Sequence, residues 1–102
     1  MNDGPVRIKT RVFLEGKDDP LDAYVDNRDF VRWDETAKRE GWGDATEAKF
    51  LFQTFCAWSA LQRNQKLDGM DFATFKRLAW SIGEVETEPI VPFDKEAGSD
   101  SP

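Results

Sequence analysis

Histidine is absent from this 102-residue sequence, and cysteine and tyrosine each occur once. Without histidine, the chain lacks the usual general base, the Ser-His and Cys-His nucleophile pairs and the commonest zinc ligand. The single cysteine, Cys56, cannot form an internal disulfide, which favours a reducing cytoplasm. We therefore expect no enzymatic activity, no cofactor and no metal site.

Long apolar runs are also absent. The uncharged stretch FLFQTFCAWSALQ covers only residues 50–62, and roughly 18 residues are needed to span a bilayer. The first residues, MNDGPVRIKT, lack the apolar stretch of a secretory signal. These features predict a soluble protein.

The apolar residues that are present are enough for a small core. Hydrophobic residues make up 39% of the chain, including eight Phe and four Trp, which is typical of a folding sequence of one domain. We expect this domain to cover residues 1–83. Residues 84–102 contain six acidic residues, one lysine and three prolines, which predicts a flexible acidic tail. Most of the net charge of −6 lies in that tail.

The N-terminal part alternates with the period of a strand. Residues 6–15 place apolar and polar side chains on opposite faces, GKDDP at 16–20 supplies turn residues, and residues 21–26 alternate again. This pattern predicts a β-hairpin, with Asp22 and Asp26 facing Arg7, Lys9 and Arg11 across the strands. Two strands are not stable alone in water, so we expect the apolar face to pack on helices.

Helical spacing follows. Asp26 or Asn27 caps a first helix that ends at Gly41, with Trp42 packing after the glycine. Asp44 and Glu47 have the spacing of a capping box for a second helix that runs to about Asn64.

A third helix is predicted from Asp71, as N-cap, to Gly83. Its packing residues would be Phe72, Phe75, Leu78, Ala79 and Ile82. The predicted class is α+β, with a two-stranded antiparallel N-terminal hairpin packed on a three-helix bundle.

The second helix is apolar around more of its circumference than one core-facing stripe requires. It is predicted to be the central helix and to leave part of its surface for a partner. Trp58 and Trp80 fall beside the main stripes of their helices, whereas Trp33, Trp42 and Cys56 are interpreted as core residues. We predict partner-binding residues at the following positions: Phe50, Trp58, Leu61, Trp80, Ile90 and Phe93.

The last two of these residues belong to Ile90-Val91-Pro92-Phe93, an apolar segment within the acidic tail. Two interpretations stay open for it: a short linear motif that orders on a partner, and a loose end that docks transiently on its own domain.

Charged clusters have simpler explanations than a chemical site. Asp18-Asp19 and Asp34-Glu35 are adjacent acids of the kind that solvent usually surrounds, and the sequence contains no EF-hand loop, P-loop or dinucleotide-binding motif. Basic residues of the hairpin are interspersed with acids in a negatively charged chain. We therefore expect neither nucleic-acid nor membrane binding.

Three segments carry a resemblance to a known family. They are DNRDFVRWDETAKREGW (26–42), FLFQTFCAWSALQR (50–63) and FATFKRLAWSIGEVETEP (72–89). The Arg-Asp-x-x-x-Trp-Asp helix, the Gly-Trp break and the Phe-x-Ala-Trp-x-Ala helix resemble the tail assembly chaperones of long-tailed, siphovirus-type phages, especially those of actinobacteria. The resemblance covers roughly residues 24–89.

That resemblance implies a non-enzymatic role in the host cell cytoplasm. The protein would bind the tape measure protein, keep it soluble and help recruit tail tube subunits during tail assembly. Self-association and a longer frameshifted form are further expectations. The alternative is a small acidic phage adaptor that inhibits a host protein through its acidic surface.

Overall fold

The computed structural model describes residues 7–85, which form an α+β domain. The order of elements is β1 (Ile8–Leu14), β2 (Leu21–Val25), α1 (Asn27–Glu40), α2 (Lys49–Arg63), α3 (Phe72–Leu78) and β3 (Ala79–Glu84). The strands form one antiparallel sheet in the order β2-β1-β3. α2 lies between the inner face of this sheet and the other two helices.

The predicted antiparallel pairing of β1 with β2 is present, within a three-stranded sheet. Residues Thr10, Val12 and Leu14 of β1 are buried, and β2 pairs with β1 in the register Lys9 to Tyr24 and Arg11 to Asp22. On the outer face, the Nε of Arg11 donates to Oδ1 of Asp22 at 2.8 Å. Solvent screens a cross-strand ion pair of this kind, so its contribution to stability is small. Asp26, predicted to join this pairing, instead caps α1.

The third helix is shorter than predicted, and the sheet has three strands rather than two. α3 ends at Leu78, and residues Ala79–Glu84 form β3 on the free edge of β1. Gly83 therefore ends no helix and lies opposite Arg11 in the sheet. The apolar residues of this segment fit a period of 3.6 and a period of 2 equally well. The unpaired backbone groups on the free edge of β1 favour the strand.

α1 has the ends that the sequence predicts. Asp26 and Asp29 form a capping box, in which the backbone N–H of Asp26 donates to Oδ2 of Asp29 at 3.0 Å. Gly41 ends the helix in the left-handed region, with φ of 73°. The backbone N–H of Trp42 then donates to the carbonyl of Ala37, and the Trp42 ring lies 5.6 Å from that of Trp33.

The capping box before α2 is also present, but it stabilises a turn rather than the helix itself. The backbone N–H of Glu47 donates to Oδ1 of Asp44, and that of Asp44 donates back to Oε1 of Glu47. The continuous helix begins only at Lys49, five residues after Asp44. It ends at Arg63, next to the predicted Asn64.

α2 is the central helix, as predicted. Every residue from Phe55 to Leu61 is buried, because the sheet, α1 and α3 surround this segment. Its rings join those of the neighbouring helices in one aromatic cluster, in which Trp33 contacts Phe52 and Phe55 at 5.4 and 5.9 Å. Contacts of this kind add about 0.5–1.5 kcal/mol to the stabilisation from area burial.

The sequence predicted that the domain ends at residue 83 and that a flexible acidic tail follows it. Glu84 and Val85 belong to the folded part, since Glu84 pairs with Thr10 and the backbone N–H of Val85 donates to the carbonyl of Lys9. Residues 86–102, to which the flexible-tail prediction applies, lie outside the described residues. Within residues 7–85, no helix has the length and apolar character needed to cross a membrane.

Candidate protein-binding surface

The predicted partner-binding residues divide into three groups. Phe50 and Trp80 are exposed, with 74% and 69% of their surface accessible. Trp58 and Leu61 are buried, at 7% and 1%. Ile90 and Phe93 lie outside the described residues. The structure therefore leaves two of the four described candidates accessible to a partner.

The prediction that Trp58 lies on an exposed face is wrong. Its indole N–H donates to the carbonyl of Met70 at 2.9 Å, in the loop before α3. Its ring packs against Phe55 and Phe72, each at 5.5 Å. The guanidinium of Arg32 covers the remaining face at 4.7 Å. With these contacts and only 7% of its surface accessible, Trp58 is a core residue.

Leu61 is likewise a core residue rather than a surface residue. It belongs to the fully buried segment of α2 and is among the largest side chains that are enclosed almost completely. Helical periodicity places Leu61 to the side of the main stripe, but that side faces other elements in the folded domain.

Phe50 is exposed because it lies in the first turn of α2, beyond the part of the helix that the other elements surround. The Nζ of Lys49 lies 5.8 Å from the centre of the Phe50 ring, and Thr54 donates to the carbonyl of Phe50 at 2.7 Å. With 74% of the surface of Phe50 accessible, its ring is largely uncovered. The free apolar surface is typical of an interaction site.

Trp80 is exposed for a different reason. The pairing of β1 with β3 shifts between Phe13 and Leu14, and Trp80 is the extra residue of β3 at this bulge. The bulge turns the indole toward the outer face of the sheet, where its ring lies 5.4 Å from that of Phe13. The pair forms a small aromatic patch on a face that no described helix covers.

The two exposed rings do not form one surface. Trp80 and Phe13 lie on the outer face of the sheet at the end of β1. Phe50 lies on the helical layer, where its neighbour Lys49 lines a cleft with Ile8 at the start of β1. The positions of Ile8 and Phe13 in β1 are five residues apart, about 16 Å along a strand. A partner that contacts both rings must therefore reach around the edge of the sheet.

The cleft next to Phe50 opens between the start of the sheet and the first two helices, and it has a volume of about 200 Å³. Its polar rim is formed by Lys49, Gln53 and Glu84. The remaining lining is apolar except for one hydroxyl: Ile8, Thr10, Val25, Phe30, Phe52 and Cys56. A cleft with apolar walls and a few charged rim groups is suited to an apolar side chain of a peptide or protein.

A second groove, which the sequence did not predict, runs along α1. It has a volume of about 440 Å³, and Arg32, Glu35, Arg39 and Glu40 of α1 line it. The opposite side is aromatic: Trp42, Phe55, Trp58 and Phe72. Its charged groups are of both signs, so it shows no preference for an anionic or a cationic ligand.

A buried charge network connects α1 to α2. The carboxylate of Asp29 is fully buried and accepts from Oγ of Ser59 and from Nη2 of Arg63, each at 2.7 Å. Asp26 lies 3.7 Å from the same Arg63 nitrogen, and the Arg28 guanidinium lowers the pKa of Asp26 to about 2. These charges are paired, so they stabilise the arrangement of the helices rather than provide a reactive site.

Cys56 is buried, as predicted. Burial raises the pKa of its thiol to about 12, so the thiol is protonated at neutral pH. Within residues 7–85, no group of three carboxylate or cysteine side chains is placed to hold a metal ion.

Comparisons with protein-family models, with curated proteins and with solved structures found no match for this chain.

Proposed function

We propose that this protein is a tail assembly chaperone of a long-tailed phage, which binds the tape measure protein in the host cytoplasm, keeps it soluble and helps recruit tail tube subunits. The observation that carries the proposal is the exposure of Phe50 and Trp80 on a domain that buries its other tryptophan and phenylalanine side chains wholly or in part. Exposed aromatic side chains are frequent anchors of protein interfaces.

Several of the residues that carry the family resemblance belong to the interior. Asp29 and Trp33 of the first segment and Ala57, Trp58 and Ala60 of the second are all buried. Their pattern therefore supports a fold shared with the tail assembly chaperones. The surface around the exposed rings is then the candidate for client binding. Two separate aromatic patches suit the two partners that the resemblance implies, the tape measure protein and the tail tube protein.

The test is co-expression with the tape measure protein of the same phage, followed by measurement of its soluble fraction and its capture by the tagged chaperone. We expect the parent chain to keep the client soluble. Phe50→Ser or Trp80→Ser should reduce the captured client by at least fivefold, whereas the melting temperature should change little because neither ring is buried.

Val31→Ser is the matched control, since Val31 is also an exposed apolar residue, at 45% accessible surface, but lies on α1. Equal loss of binding in all three variants would reject the assignment of the site. An insoluble, uncaptured client in the presence of the parent chain would reject the function itself.

A further inference from the structure

We propose that the apolar cleft beside Phe50 is a binding site for the chain's own segment Ile90-Val91-Pro92-Phe93. The segment would dock within the same molecule and cover the cleft when no client is bound. This regulatory consequence rests on the proposed chaperone function, whereas the docking itself does not.

The first argument is the fit between the cleft and an apolar side chain. The cleft measures about 200 Å³, and its walls include Phe30, Phe52 and Val25. An apolar cavity of roughly 150 Å³ in another protein binds benzene. The space is therefore sufficient for a phenylalanine ring, and filling it would remove the apolar wall surface from water.

The second argument is the place where the chain leaves the sheet. Glu84, the last residue of β3, lines the cleft, and Val85 is held against β1 by its bond to the carbonyl of Lys9. Ile90 follows Val85 by five residues and Phe93 by eight. At about 3.3 Å per residue, these distances allow up to roughly 16 and 26 Å of extended chain. Either residue can return to a cleft that begins at Glu84.

A connection this short favours docking. Closing a loop of fewer than ten residues costs little chain entropy compared with a long loop. A short flexible connection also gives the segment an effective concentration in the millimolar range at the cleft. Even a weak apolar contact would therefore be occupied for much of the time.

The third argument is composition and charge. Between residues 86 and 102, the only consecutive large apolar side chains are those of Ile90, Val91 and Phe93, with Pro92 among them. Acidic residues flank the segment at Glu88 and Asp94. Lys49, which is exposed on the cleft rim, offers these acids a cation, while Gln53 offers an uncharged polar neighbour. Glu84, which is also on the rim, would repel these acids. The apolar walls of the cleft would still favour binding of the apolar segment.

Gln53 provides a position for a direct measurement because it lies on the cleft rim and is partly exposed, whereas the thiol of Cys56 is buried and reacts slowly. In a Gln53→Cys chain, a docked segment should protect the new rim thiol from a small alkylating reagent such as iodoacetamide. We expect the addition of Ile90→Asp with Phe93→Asp to this chain to raise the rate of modification at position 53 by at least about tenfold, at the same pH. Peptide mass spectrometry gives both rates.

The matched control is Ser99→Asp with Ser101→Asp, which adds the same charge to the same tail outside the apolar segment. In the Gln53→Cys chain, this control should leave the rate of modification unchanged. In chains that keep Gln53, the amide chemical shifts of Gln53 and Glu84 supply an independent readout and should move only when Ile90 and Phe93 are replaced. Equal alkylation rates in all three chains, together with unchanged shifts, would overturn the proposal.

The two proposals fail separately. Protection of the rim thiol at position 53 by the segment, in a chain that captures no tape measure protein, would reject the chaperone function and support the docking. Capture of the client by a chain whose cleft stays uncovered would support the chaperone function and reject the docking.

Discussion

At the scale of single residues, the most consequential feature is Asp29, a charged side chain enclosed in the interior. It accepts hydrogen bonds from three donors: the backbone of Asp26, Oγ of Ser59 and Nη2 of Arg63. Among the described residues, the buried Nε of Arg63 has no acceptor. Arg63 therefore depends on Asp29 and the more distant Asp26 for compensation of its charge, at 2.7 and 3.7 Å.

Asp29→Ala should consequently be strongly destabilising. The substitution removes one of the two partners of the capping box of α1 and leaves Arg63 partly unpaired, and breaking a buried pair in this way typically costs about 3–5 kcal/mol. We expect urea unfolding to show a loss within or near that range. Asp34→Ala, at an exposed position of the same helix, is the control and should change the free energy of unfolding by less than about 0.5 kcal/mol. Similar losses of unfolding free energy in the two variants would show that the pairing of Asp29 with Arg63 adds no stability beyond that of an exposed carboxylate on the same helix.

At the scale of secondary-structure elements, the sequence predicted the strands and helix ends that depend on residues close together in the chain. The alternation of β1 and β2, the N-cap at Asp26 and the glycine that ends α1 are all local signals, and the structure contains each of these features. β3 is different, because its partner β1 lies about 70 residues earlier in the chain. No local pattern distinguishes a helix that ends at Gly83 from a strand that contains it. The burial of Trp58 was missed for the same reason, since Met70 and Arg32 enclose it from other segments.

Substitution of Gly83 distinguishes the strand from the predicted helix end. Gly83 lies in β3 with open space at the position of a Cβ, and its φ is not positive. Gly83→Thr should therefore raise the free energy of unfolding by up to about 1 kcal/mol, through lower chain entropy in the unfolded state and higher β propensity.

Gly41→Thr should have the opposite sign. Gly41 does end a helix, with φ of 73°, and a β-branched residue is strained there. We expect a loss of about 1 kcal/mol or more in the same urea measurement. A loss of that size at Gly83 as well would indicate that Gly83 ends a helix and that β3 is absent.

At the scale of the whole molecule, charge and aromatic surface are separated along the chain. Residues 84–102 contain six of the twenty acidic residues and only one of the fourteen basic ones, so the remainder of the chain is close to neutral. The exposed rings Phe50 and Trp80 lie on that nearly neutral part. The two functions weighed from the sequence use different parts of this arrangement: a chaperone would bind through the rings, and an adaptor that mimics nucleic acid would bind through the acidic surface.

Salt separates these two modes of binding. The Debye length falls from about 10 Å at 0.1 M salt to about 3 Å at 1 M, so contacts between exposed charges weaken while apolar contacts persist. For the tape measure protein, we expect the dissociation constant to change by less than about threefold between 0.1 and 0.5 M sodium chloride. The dependence of this dissociation constant on salt should not change when glutamine replaces four acidic residues of the tail, Glu86, Glu88, Asp94 and Glu96. The exposed rings, rather than these side chains, would contact the tape measure protein. A tenfold weakening in high salt that disappears in the glutamine variant would assign binding to the acidic segment, and the protein would then be the acidic adaptor.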